Sequence, residues 1–140
     1  MEKEVIVIDA SDAIVGRLSS KVAKMLLEGK KVIIINAEKA KISGKKESII
    51  RKYLVRRSLQ SKQNPEKSPK WPKVPNLLLR RIIRGMLPRK KAKGREAFKR
   101  LKVYIGNPLN LNGSKIEEAL KDVNYYITLE TLCKNLGWSG

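Results

Sequence analysis

The sequence predicts an α/β domain that opens with two parallel strands joined by a helix. Three observations carry this expectation. VIVID at 5–9 and VIIIN at 32–36 are short apolar runs rich in β-branched residues, which read as buried strands. Between them Ile14, Leu18, Val22, Met25 and Leu26 recur at helical spacing. Strand, helix and strand within about thirty residues form a βαβ unit, whose strands run parallel with a right-handed crossover.

The elements follow in order. Ser11 or Asp12 is placed to cap the first helix, which should run to about Glu28, where Gly29 supplies a left-handed stop. After a turn at Ser43-Gly44, a second helix is expected to about Ser58. Ile49, Ile50, Tyr53 and Leu54 make one face, and Lys45, Arg51, Lys52, Arg56 and Arg57 crowd the rest. Residues 61–75, SKQNPEKSPKWPKVP, hold four prolines and few core formers, and so read as an extended loop. Core-forming segments follow at once, so the loop is no boundary and one domain, 1–140, is expected. Asn76 should cap the helix NLLLRRIIRGML. On its wheel Leu78, Leu79, Ile82, Ile83, Met86 and Leu87 share one face, while Arg80, Arg81 and Arg84 fall on the other. Gly85 loosens that helix and Pro88 ends it. Residues 88–94 read as a basic loop. A short helix from about Arg95 turns Ala97, Phe98 and Leu101 inward and Arg95 and Lys99 outward. KVYI at 102–105 reads as a strand. A last helix, ITLETLCKNLG, carries Leu129, Leu132, Cys133 and Leu136 on one face.

Size and charge bound the function. A chain of 140 residues with 41% hydrophobic composition can bury one real core. Its net charge of +19 points to a polyanionic partner. The distribution says more than the total. Residues 1–40 hold seven basic and six acidic groups, 106–140 hold three and four, and 41–105 hold twenty-two and three. A solubility device would be spread evenly, whereas this excess is a footprint. A merely solvated face also mixes Lys with Glu, yet the run from Arg84 to Tyr104 has nine basic residues and one acid, Glu96.

Enzymatic chemistry has little foothold. The chain has no histidine and one cysteine, Cys133, so a general base, a metal cluster and an internal disulfide are all unexpected. Cys133 fits buried packing and a reducing cytosol. No G-x-G-x-x-G or G-x-x-x-x-G-K-[ST] follows the first strand, so its βαβ unit reads as plain structure rather than a nucleotide site. Asp9 and Asp12 read as turn and cap residues. The acids of MEKEVIVIDA are unlike a secretory signal, and no run approaches the roughly 20 apolar residues of a membrane span. Cofactors, a membrane and a small-molecule substrate are not expected.

Nucleic acid is the expected partner, and RNA fits better than DNA. No helix-turn-helix, finger or basic-zipper pattern appears, and short basic helices with loops suit the irregular surface of folded RNA. The candidate contacts are Lys45, Lys52, Arg56 and Arg57 on the second helix, and Lys70, Trp71 and Lys73 on the proline loop. Arg80, Arg81, Arg84, Arg89, Lys90, Lys91, Lys93, Arg95, Lys99 and Arg100 complete them. Trp71 either stacks on a base or pins its loop to protein.

RGMLPRKKAKGREAFKRLKVYIG resembles the signature of the universal large-subunit ribosomal protein thirteen family. VIDASDAIVGRLSSKVAKMLLEGKKVIIINAEKAKISG is similar to that family's first half, and KWPKVPN to its archaeal and eukaryotic branch. The chain departs from the pattern at Val74 and Asn76, and its last thirty residues match least. The resemblance implies a three-layer α/β/α fold with a small, mostly parallel sheet of about four strands. It further implies a place on large-subunit ribosomal RNA in the cytoplasm, neighbours among ribosomal proteins, and no catalytic activity. A free-standing RNA-binding regulator and a nucleotide-using enzyme are the rival readings.

Overall fold

The computed structural model describes residues 5–58, 72–88, 90–120 and 123–139. Strand β1 (Val5–Asp9) and β2 (Lys31–Ile35) pair in parallel across helix α1 (Val15–Leu27), with Val7 opposite Ile33. Strand β4 (Leu101–Val103) joins the other side of β2, also in parallel, giving the order β1-β2-β4. A single parallel bridge from Ser114 covers β1's outer edge: its N–H donates to the Val7 carbonyl and its carbonyl accepts from Asp9 N–H, both at 3.0 Å. The small, mostly parallel sheet of about four strands that the resemblance implies is thus three strands and a bridge. A separate antiparallel pair, β3 (Lys41–Ser43) and β5 (Tyr126–Thr128), was not expected from sequence. Both strands are only three residues long, below the length at which alternation becomes readable.

Helices α3 (Pro75–Gly85) and α4 (Ala92–Lys99) pack against α1. Helix α2 (Lys46–Ser58) and α5 (Leu129–Asn135) pack against each other, and α5 also touches α3. One continuous core unites them. Ile8, Leu18, Leu26, Ile34, Leu78, Leu79, Ile83, Leu101, Leu129 and Leu132 are fully buried in it. Each removes most of an aliphatic side chain from water, worth roughly 1.5–3 kcal/mol apiece before ordering costs. Cys133 is buried on α5, as expected.

Several boundaries differ from the sequence expectation, each for a local reason. Neither Ser11 nor Asp12 caps α1; Ile14 occupies that position without a side-chain bond. The approach is instead held by tertiary bonds, from Ile14 N–H to the Ala119 carbonyl (2.8 Å) and from Lys41 N–H to that of Ala13 (2.7 Å). Asp9 organises the turn: its Oδ1 accepts from Ser11 N–H (2.9 Å) and from Asn36 Nδ2 (3.1 Å). Gly29 does end α1 at φ +94, where only glycine is unstrained. Asn76 does not cap α3, because Pro75 takes the first helical position, where its missing N–H costs nothing. Gly85 is the last residue of α3, so Pro88 does not end it. Helix α4 begins at Ala92, three residues before the expected Arg95, which leaves 88–94 only half a loop. Helix α5 begins at Leu129 behind Thr128, whose hydroxyl accepts from Thr131 N–H. Leu54 and Met86, expected inside, are 46% and 42% exposed. Leu54 lies off the narrow Ile49–Tyr53 stripe of α2, and Met86 falls beyond the end of α3. Most of the proline loop lies outside the described residues.

The Asp9 turn makes a pH-dependent prediction. Burial alone would raise its carboxyl pKa, but the Ser11 N–H, the Asn36 amide and Lys115 outweigh it and hold it below the ordinary 3.8. A carboxyl depressed in the folded state stabilises the fold above its unfolded pKa and loses that contribution as pH falls through the folded pKa. The melting gap between wild type and Asp9→Ala should therefore be full at about pH 6 and narrow steadily below about pH 4. A gap unchanged down to about pH 2 would show that the charge contributes nothing.

Candidate nucleic-acid interface

The basic surface is built on α3. Its apolar residues recur at helical spacing, so Leu78, Leu79 and Ile83 enter the core and Arg80, Arg81 and Arg84 are carried around to the outside. All three arginines are half-buried, and the Nε atoms of Arg81 and Arg84 are themselves buried. The Arg80 guanidinium lies over the Phe98 ring of α4, 4.4 Å from its centroid. Pro72, Leu77, Arg80, Arg81, Arg84 and Phe98 line a shallow groove of about 240 Å³.

Helix α4 continues this surface. Lys93, Arg95 and Lys99 are exposed along it, and Lys90 and Lys91 stand exposed at its N-terminal end. Cations at a helix N-terminus oppose the helix dipole, and an anion there relieves both. Among the described residues Arg80, Arg84, Lys90, Lys91, Lys93 and Lys99 meet no carboxylate.

Gly94 fixes how this segment sits. It is buried one turn into α4, and a β-carbon there would collide with the Pro88 carbonyl. Alanine is ordinarily better than glycine inside a helix, so this glycine answers to packing. Gly94→Ala should push the Pro88–Lys91 turn away from α4 and cost about 1–3 kcal/mol, as overpacking does. Thermal melts check this; a mutant as stable as wild type would mean the turn moves freely.

Arg100, expected in the interface, is turned inward. Its Nη2 donates to the Leu26 carbonyl at 2.6 Å, adding to the bond that this carbonyl accepts from Gly29 N–H at the C-terminal end of α1. Lys102 on β4 is exposed. Lys73 is exposed beside Gly137, past the end of α5. Lys70, Trp71, Arg89 and the side chain of Arg57 lie outside the described residues.

A second basic patch forms on α2. Lys45 and Lys52 are exposed, and Arg56 stands over the Tyr53 ring at 5.2 Å from its centroid. Burial pushes the Tyr53 phenol pKa up, opposed in part by Arg56. Ser48, Arg51, Lys52, Val55 and Arg56 line a groove here. Arg51 was not among the expected contacts, although its place one turn from Val55 on the helix could have marked it. The pairing of Arg80 with Phe98 had no sequence signal, because it joins residues eighteen positions apart on two different helices. Helix α5 packs against both α2 and α3.

The β1–α1 turn has the opposite character. Asp9 and Asp12 place negative charge there, and Asp12 is met by Lys41 at 3.5 Å and Lys115 at 4.0 Å. A phosphate would find carboxylates where a nucleotide-binding turn offers glycines. Among the described residues no three His, Cys, Asp or Glu side chains cluster to hold a metal, and no helix is long and apolar enough to cross a membrane.

Comparison with known proteins finds a family and relatives over most of the chain. A family model described as Ribosomal protein L13 matches residues 3–110. A protein of Methanocaldococcus jannaschii named large ribosomal subunit protein uL13 is 52% identical over 133 residues, covering 94% of this chain and 96% of that one. Proteins of the same name from Archaeoglobus fulgidus and Saccharolobus solfataricus are 43% and 40% identical, covering 96% and 100% of this chain and 88% and 97% of theirs. The family model stops at residue 110, yet the relatives align beyond it, and α5 supplies Leu129, Leu132 and Cys133 to the core. By the match over most of its length and by these relatives, the chain belongs to the ribosomal protein L13 family.

Proposed function

We propose that this protein is a structural constituent of the large ribosomal subunit in the cytoplasm, where it binds and stabilises folded large-subunit ribosomal RNA. Family membership supports the ribosomal role and the absence of catalysis. One structural observation supports the RNA contact: α3 buries Leu78, Leu79 and Ile83 while carrying three arginines on its outer side, two of which, Arg80 and Arg84, meet no carboxylate among the described residues. Like charges gathered this closely repel, and a polyanion relieves that repulsion.

The α3–α4 surface and the α2 patch then act as two phosphate-binding faces on one domain, 1–140. Lysine and arginine contacts to phosphate set position without reading sequence, so selectivity comes from the shape of the folded RNA. Carried on one folded core, the two faces hold RNA together. Neighbouring ribosomal proteins complete its surroundings.

Sedimentation tests the ribosomal assignment. The tagged protein should travel with the large subunit at about one copy per particle, and its basic residues should crosslink to ribosomal RNA within intact particles. A protein that stays at the top of the gradient would be a free-standing RNA-binding regulator instead.

A further inference from the structure

We propose that the groove between α3 and α4 receives one unstacked base of the bound RNA, which stacks on the guanidinium of Arg80. This rests on the RNA-binding reading above and gives it a specific contact. The groove sets apolar carbon beside its arginines. Leu77 is 45% exposed and lines it together with Pro72 and Phe98. A surface meant only for phosphates has no use for exposed apolar carbon, whereas the face of a base does.

Arg80 supplies the stacking plane. Its guanidinium is held over the Phe98 ring, and the residue also lines the groove. Guanidinium planes are established platforms for unpaired RNA bases, and a preoriented one loses less entropy on binding. Arg84 lines the same groove, and its Nε is buried without a hydrogen-bond partner among the described residues. Size agrees as well. At about 240 Å³ the groove is smaller than the roughly 300–1,000 Å³ of sites for drug-sized ligands, so it has room for one ring system. A base inside a duplex cannot enter it, which selects a bulged or looped nucleotide.

The test uses the full-length protein on an in vitro transcript of the large-subunit ribosomal RNA from the same organism. Backbone contacts are mapped by hydroxyl-radical cleavage and base accessibility by chemical modification. Two variants isolate the stack: Arg80→Lys keeps the charge but loses the plane, and Phe98→Leu keeps apolar bulk but frees the guanidinium. Melting curves confirm that both fold; should Phe98→Leu unfold, Arg80→Lys decides alone. With wild type, one unpaired base should become protected from modification. With either variant that base should regain reactivity while the rest of the backbone footprint persists, and affinity should fall roughly 5- to 100-fold. An unaltered base pattern beside an intact footprint would overturn the stacking site and leave the basic-surface reading standing. Absence of any wild-type footprint would instead overturn that reading itself. A crosslink from the groove to a carboxylate of a neighbouring protein in intact subunits would also overturn the base assignment.

Discussion

Ile83→Ala is expected to destabilise the fold by about 2–5 kcal/mol, the usual result of deleting a buried aliphatic side chain and leaving a cavity. Ile83 is fully buried in the core where α3 packs against α1 and β4. Ile82, one residue earlier, is only partly buried, so Ile82→Ala should cost distinctly less. Denaturant or thermal unfolding of the two variants checks the difference. Equal losses would mean that α3 is rotated about its axis from the orientation described. Because the arginines ride on this helix, such a rotation would also redirect the basic surface.

The helices and the parallel strands were legible in the sequence because their periodicity spans several turns or a whole apolar run. The Ile14–Leu26 stripe predicted α1, and VIVID and VIIIN predicted β1 and β2, since a long pattern averages over local exceptions. What failed to show were features decided by contacts distant in sequence. The start of α1 depends on Ala119 and Lys41 rather than on Ser11 or Asp12. The β3–β5 pair joins segments about eighty residues apart, each only three residues long. Arg100 reads as one more basic residue, and only the fold shows it reaching the Leu26 carbonyl. Charge clustering marked a candidate surface, because like charges collect for a partner whatever the local structure. It could not separate arginines that face outward from one that caps a helix.

Replacing Arg80, Arg81 and Arg84 together by Ala should have little effect on folding and a large effect on RNA binding. None of the three belongs to the buried apolar core, and removing them relieves mutual repulsion. Some packing of their aliphatic stems is lost, which limits any gain in stability. In binding, each phosphate contact releases condensed counterions, which makes affinity fall with salt. Three contacts at roughly 0.7–0.9 each amount to about 2 units in the slope of log affinity against log salt. Arg100→Ala is the control: it should lower the melting temperature by removing the Leu26 bond and leave the slope unchanged.

The decisive measurement is therefore a salt titration of binding to the large-subunit ribosomal RNA transcript, run on wild type, the triple arginine variant and Arg100→Ala. A slope reduced by about 2 units in the triple variant alone, with its melting temperature near wild type, is the predicted result. An unchanged slope accompanied by a large drop in the triple variant's melting temperature would contradict it. Arg80, Arg81 and Arg84 would then serve the fold, and α3 would be a scaffold rather than the RNA-binding surface.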